Sequence, residues 1–333
     1  MLTETSAGLF CETGGFYIDP WHPVDRAVIT HAHGDHARPG CQAYLCAAPC
    51  VPLLTRRFGR DVVIESLPYG TPRTIGSARV SFHPAGHVLG SAQIRIESAA
   101  GVWVVSGDYK RAADPTCAPF EPVACDTFIT ESTFGLPIYR WDPAATVIGD
   151  IVDWWNRNRE EQRASVLFCY TIGKAQRVLA ELTAVSDRPI FVHGMMMGMI
   201  DAYREAGVSI PAVHNVLEPP APRARGKTAF AGELILAPLL ARGTPWMRRL
   251  GEHSDAFASG LMRVRGVRRQ RAFDRGFVLS DHADWPDLIR TITETGAARV
   301  LATHGHAETL ARYLGQQGYD TGVIRTAWEG EAD

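Results

Sequence analysis

The chain lacks the features that would place it in a membrane or outside the cell. Its 333 residues contain no apolar run of membrane-spanning length. The opening Met1-Leu2-Thr3-Glu4-Thr5 lacks the basic segment, followed by an apolar one, that starts a secretory leader. Seven cysteines, an odd number in a long chain, do not read as a disulfide framework. Cys41, Cys46 and Cys50 fall close together, but their spacing fits no common zinc module, and they read as small apolar residues. A formal charge of -2 argues against a globally basic binding surface, so any contact with a polyanion has to come from a local patch. No internal repeat is visible. The composition points to a protein of a reducing cytoplasm, with 46% hydrophobic residues to build a core and length enough for two domains or one elaborated one.

What the chain does have is histidine in one place. Ile29-Thr30-His31-Ala32-His33-Gly34-Asp35-His36 follows an apolar, β-branched run that reads as a buried strand. The i, i+2, i+4, i+5 spacing cannot put all four polar side chains on one helical face, so these residues belong on the loop leaving the strand. A turn at Gly34 would aim His31 and His33 at one cation, and Asp35 and His36 at a second. Imidazole and carboxylate without thiolate suit Zn or Mn in a catalytic centre. The plain alternative is a polar loop that happens to be rich in histidine.

Other strand ends carry matching residues. Residues 9 to 18 read as a strand ending at Asp19-Pro20, where Asp19 either starts a turn or orients a ligand histidine from behind. His87 lies on the glycine-flanked loop between the strand-like Arg79–His83 and the strand through Ile94 and Ile96. The run Val102–Ser106 ends in Gly107-Asp108, placing a carboxylate where it could share two ions. Further runs end at Glu131, at Asp281-His282 and at His304-Gly305-His306.

The series Asp19, His31-x-His33-x-Asp35-His36, His87 and Asp108 resembles the first four motifs of the metallo-β-lactamase superfamily. Phe128–Gly135 with Glu131, Phe277–Asp284 with His282, and Val300–His306 with His304 resemble the A, B and C motifs of its β-CASP nuclease branch. Together these cover nearly the whole chain. Ser259-Gly260-Leu261-Met262-Arg263-Val264-Arg265-Gly266, running into Asp274-Arg275-Gly276-Phe277, is similar to the bacterial ligase-associated DNA exonucleases, which are linked with a DNA ligase in repair. The resemblance implies a four-layer αββα sandwich, residues 1–139 and 276–333, with an inserted β-CASP α/β domain over 140–275. It implies two divalent ions, Zn or Mn, with His31, His33 and His87 on one, Asp35, His36 and His304 on the other, and Asp108 between them. Hydroxide would attack phosphorus, and His282, supported by Glu131, would act as general acid.

Within the insert, Asp142-Pro143 reads as a helix start with Val147, Ile148, Ile151, Val152 and Trp155 as its apolar stripe. Strands at 166–169 and 190–192 alternate with helices at 174–184 and 198–206, which predicts a small parallel α/β domain. Residues 218–223 read as an exposed Pro-rich loop. Met195, Met196, Met197 and Met199 suit either core filling or a substrate groove. The run Arg263, Arg265, Arg268, Arg269, Arg271 and Arg275 is the densest cationic stretch. On a strand, Arg263 and Arg265 would share a face and could clamp phosphates, the alternative being a solvated basic hairpin. Lys174, at a predicted helix start, is a second phosphate candidate.

The expected function is therefore a metal-dependent phosphodiesterase, a DNA exonuclease in repair. An RNA endonuclease or 3′-end processing nuclease is the alternative, because a histidine at the motif C position is associated in the family with RNA-processing members. A non-catalytic nucleic-acid-binding scaffold is disfavoured because every ligand position is filled, and a small-molecule hydrolase would not need Glu131, His282 or the insert.

Overall fold

The structure, a computed structural model, describes residues 1–218 and 229–326; residues 219–223 of the expected Pro-rich loop lie outside them. The chain divides into two units, Met1–Arg140 with the chain from Asp281 onward, and Trp141–Ser280. In the first unit the strands Leu2–Thr5, Gly8–Cys11, Phe16–Ile18, Arg26–Val28, Ala43–Ala47 and Ile64–Leu67 form one sheet in sequence order. The single strand expected over residues 9 to 18 is in fact two, Gly8–Cys11 and Phe16–Ile18, paired antiparallel. Gly15, at φ 64, makes the turn between them in a region where a side chain would be strained.

A second sheet has seven strands in the order Asp320–Val323, Arg299–Thr303, Thr127–Glu131, Gly101–Val105, Ala92–Ser98, Ala78–Pro84 and Arg73–Ile75. The first four run parallel and the remainder pair antiparallel. Successive side chains on a strand point to opposite faces, and both faces here are covered. Val105, Ile129 and Leu301 join Phe16, Ile18, Val28 and Leu45 of the first sheet in one core, so the two sheets meet face to face. The intervening Val104, Phe128 and Val300 pack on the other side with Trp285 and Ile292 of the helix Trp285–Thr295 and Leu310 and Leu314 of the helix Ala307–Gln316. That double burial leaves all five residues of Thr127–Glu131 covered, Phe128 and Ile129 entering opposite cores and each large apolar side chain contributing about 1.5–3 kcal/mol. The helix Val51–Phe58 lies by the first sheet, its Phe58 ring 4.9 Å from that of Tyr44.

The second unit carries a parallel sheet in the order Val213–Asn215, Ile190–Val192, Leu234–Ala237, Ala164–Phe168, His253–Ala258 and Arg275–Phe277. Residues 276–280, placed by the sequence with the first unit, belong to this one, because Arg275–Phe277 hydrogen-bonds to His253–Ala258. The helix after Pro143 spans Ala144–Glu160 and buries Val147, Ile148, Ile151, Trp154 and Trp155; Val152 is only partly covered. Asp142 does not cap it, since Pro143 holds the N-cap position with no side-chain bond. Of the four methionines, Met196 is core, Met195 is exposed, and Met197 and Met199 are half-buried. None of the seven cysteines is in a disulfide, and Cys41, Cys46 and Cys50 are buried as small apolar residues. Among the described residues no helix is long and apolar enough to cross a membrane.

Candidate metal centre

Strand direction brings the polar residues of the first unit to one edge. Gly101–Val105, Thr127–Glu131 and Arg299–Thr303 are parallel and in register, so Asp108, Glu131 and His304 all follow or end strands at the same side of the sheet. Ala92–Ser98 runs antiparallel to Gly101–Val105 and begins at that side, which puts the loop bearing His87 there too. In the first sheet, Asp19 and the His31–His36 loop follow the parallel strands Phe16–Ile18 and Arg26–Val28, and the Ala92 amide donates to the Thr30 carbonyl at 2.8 Å. Ligand sites in open α/β sheets form beyond carboxyl strand ends for this reason.

Three groups of donors result among the described residues, one of them Asp108 with Glu131 and His282, and the other two carry the predicted ligands. His31, His33, His87 and Asp108 face one another, as do Asp35, His36 and His304. His33 Nδ1 lies 3.2 Å from His31 Nε2 and 3.1 Å from His87 Nε2. Nitrogens bound tetrahedrally to one zinc ion at about 2.0 Å stand roughly 3.3 Å apart, so this spacing fits a shared cation. Asp108 Oδ2 is 3.6 Å from His31 Nε2 and 3.5 Å from His36 Nε2, one from each group. Asp35 Oδ1, His36 Nε2 and Asp108 Oδ1 are buried with no hydrogen-bond partner among the described residues. Buried polar atoms are costly to leave so, and a cation would satisfy all three.

Charge follows the same geometry. Burial holds the His31, His87 and His304 rings below the ordinary histidine range, which keeps them neutral and free to ligate. Burial also opposes a charge on His36, but Asp108 and Asp35 outweigh it and raise that ring well above the range. A proton there compensates two carboxylates as a metal would. Burial disfavours ionised Asp108, yet His36 and His282 hold it well below the usual carboxylate range.

The remaining predicted residues hold these in place. Asp19 Oδ2 is 2.7 Å from His36 Nδ1 and accepts the Thr30 hydroxyl at 2.5 Å, while Oδ1 accepts the Thr30 amide at 2.8 Å. His282 Nδ1 is 2.9 Å from Glu131 Oε2, and Glu131 Oε1 accepts the Tyr109 amide at 2.6 Å. Burial pushes the Glu131 carboxyl up, against the attraction of His282. Asp19 and His304 sit at φ 42 and 56, strained for non-glycine residues and typical of a site that overrides local preference. Gly107, at φ 56, leaves no room for a β-carbon, which would stand 2.6 Å from that of Thr30. A cavity of about 540 Å³ opens beside His304 and is lined by His306, Glu308, Thr309 and Arg325.

The phosphate candidates are in the second unit. Arg263 ends a 3-10 turn, Gly260–Arg263, with its guanidinium 3.5 Å from Asp142, and Arg265 opens the helix Arg265–Arg271. They do not share a strand face: Ser259 accepts the Leu261 amide at 3.2 Å and turns the chain before them. Arg265 is exposed, whereas Lys174, although it does begin the helix Lys174–Thr183, is 1% exposed and is no surface phosphate contact.

Several supporting groups escaped the sequence reading. Ser91 Oγ accepts the His87 and Val88 amides at 3.1 and 3.2 Å, and the Asp281 carbonyl lies 2.8 Å from His87 Nδ1, which leaves Nε2 facing the cluster. Ser132 Oγ donates to the Thr303 carbonyl at 2.9 Å and also to that of His304. Ser132 and Asp281 adjoin motif residues, but nothing local marks what they bond.

No family model matches the chain. It is 30% identical over 325 residues to a probable DNA ligase from Opitutus terrae, an alignment covering 96% of this chain and 30% of that protein. It is 33% identical over 122 residues to endoribonuclease ysh1 from Aspergillus fumigatus, covering 35% of this chain and 14% of the relative. The chain therefore spans less than two thirds of either relative's own length. Among solved structures, a protein of unknown function from Enterococcus faecalis V583 aligns with TM-score 0.58 at 12% identity, over 92% of this chain and 80% of that one, a likeness of fold alone. Together with the donor clusters, these relatives support the nuclease family that the motifs resemble, and a role for divalent metal.

Proposed function

We propose that the chain is a dinuclear-metal-dependent nuclease of the metallo-β-lactamase fold, with an inserted β-CASP domain, that degrades DNA from its ends during repair in the cytoplasm. The observation that carries this is the convergence of both donor groups and the Glu131–His282 pair on one sheet edge. His31, His33 and His87 would hold one divalent cation, Zn or Mn, with Asp35, His36 and His304 holding the other and Asp108 reaching both. Cations so held acidify water and neutralise charge gathering on the phosphate.

The protein's own contribution is orientation and a proton. Asp19 fixes the His36 ring through Nδ1, and the Asp281 carbonyl does the same for His87. Glu131, anchored by the Tyr109 amide, accepts from His282 Nδ1 and favours the protonated ring. When the phosphorus–oxygen bond to the departing sugar breaks, His282 Nε2 supplies the proton that oxygen needs. Arg263 and Arg265 would contact backbone phosphates.

The likeness to a protein named a probable DNA ligase, which spans 96% of this chain, is what supports DNA as the substrate and a link with ligation. The likeness to an endoribonuclease favours a second reading, internal cleavage of RNA. Labelled single-stranded DNA, duplex DNA and RNA with varied ends, each incubated with added Mn²⁺ or Zn²⁺, separate the two. End-dependent loss of DNA is the expected result. Internal cuts confined to ribose-containing strands would replace the first reading with the second, and no cleavage of any substrate would overturn both.

A further inference from the structure

The loop that carries four of the proposed ligands is irregular, and the carbonyls of Ala32, His33 and Ala37 converge on one side chain. Ala32 and Ala37, at its two ends, are fully buried. Buried carbonyls outside regular structure need donors, and a single side chain supplies them here. Arg57 Nη1 donates to the carbonyl of Ala32 at 2.8 Å, of Ala37 at 2.9 Å and of His33 at 3.3 Å. His33 also accepts the Ala37 amide at 2.9 Å, so the loop closes a one-turn ring whose carbonyl side is gripped from outside.

Arg57 lies in the last turn of the helix Val51–Phe58, where the ordinary role of a cation is to face the helix's own carbonyl end. Its neighbour Arg56 is exposed, whereas Arg57 is half-buried and turned to the loop. We propose that Arg57 is a positioning residue that holds the His31–His36 loop in its ligating shape before any cation arrives. The inference rests on the metal-dependent reading above and deepens it. A guanidinium suits the task because its donors are fixed in a plane and its charge persists at every relevant pH.

Two effects of Arg57 on cation uptake have opposite signs, which makes the idea testable. Its positive charge repels divalent cations, so charge alone predicts tighter binding once it is removed. Loss of the grip predicts weaker binding, by about 10–100-fold if it matches other groups that orient ligands from behind. The experiment strips metal from wild type, Arg57→Met and Arg57→Lys, then titrates each with Zn²⁺ against a chromophoric chelator. Circular dichroism and thermal melts of the metal-free proteins run alongside. Arg57→Met is expected to bind about 10–100-fold more weakly with an unchanged spectrum, and Arg57→Lys, which keeps the charge and reaches fewer carbonyls, to fall between.

Equal or tighter binding by Arg57→Met would overturn the proposal. If that variant does not fold, Arg57→Lys decides, since wild-type affinity there has the same meaning. A wild-type protein that takes up no Zn²⁺ sinks the metal-dependent reading and this inference together, whereas uptake by wild type with unaltered uptake by the variants sinks the inference alone.

Discussion

Replacing Glu131 with glutamine tests the proposed proton donor with almost no change of shape. Among the bonds the carboxylate accepts are one from the Tyr109 amide at Oε1 and one from His282 at Oε2, and both partners are donors. An amide has only one acceptor oxygen. The buried Tyr109 N–H has the better claim on it, which turns the glutamine NH₂ group toward His282 Nδ1. The ring must then carry its proton on Nε2 and accept through Nδ1, and a second proton no longer has a site facing a carboxylate. The loss is one hydrogen bond to a charged group, about 1.5–3 kcal/mol. At about 1.36 kcal/mol per tenfold, kcat should fall roughly 10–150-fold. The fold should survive, because a neutral amide removes a buried charge that burial already disfavours. Steady-state cleavage at saturating cation, with metal content and melting temperature measured on the same samples, is the assay. A kcat within about threefold of wild type, with His282→Ala inactive, would refute the pairing. A comparable fall in metal content would instead show that Glu131 acts on the centre.

Asp108→Asn should abolish turnover and lower the bound cation per chain, read by elemental analysis, because it withdraws a charge that faces both donor groups. Arg263→Gln and Arg265→Gln should each weaken DNA binding and flatten its dependence on log salt by about 0.7–0.9, measured by anisotropy; an unchanged slope would remove them from the phosphate path. His193 caps the helix Gly194–Glu205 by accepting the Met195 amide through Nδ1 at 3.2 Å, and burial with nearby Arg249 lowers its pKa. The neutral ring is the folded form, so its contribution is complete above the ordinary histidine range and is lost as pH falls through the lowered value. Between about pH 8 and about pH 5 the wild type should therefore lose more stability in urea melts than His193→Asn, which caps without titrating.

The elements that local sequence could reveal are those whose signal is local. Thr127–Glu131 and Arg299–Thr303 were legible because each holds a short apolar stretch, Phe128-Ile129 and Val300-Leu301-Ala302, running into a polar strand end. The His31–His36 loop was legible because its spacing excludes a helix. Asp142 misled, since an aspartate before proline looks like a cap, while its side chain here approaches Arg263. The arginine run misled as well: alternation suggested a strand, but a serine turn and a seven-residue helix occupy it.

By itself the sequence determined which residue types are available to a metal and that each would stand at the end of a strand. It could not determine that the ends coincide. That depends on the parallel register of Val105, Ile129 and Leu301, set by side chains burying into two cores at once. Nor could it give Arg57 a partner, because the carbonyls it binds lie 20 to 25 residues away and offer no side chain to recognise. Backbone acceptors look the same at every position of a sequence, and only the folded chain shows which of them are buried and in need of a donor.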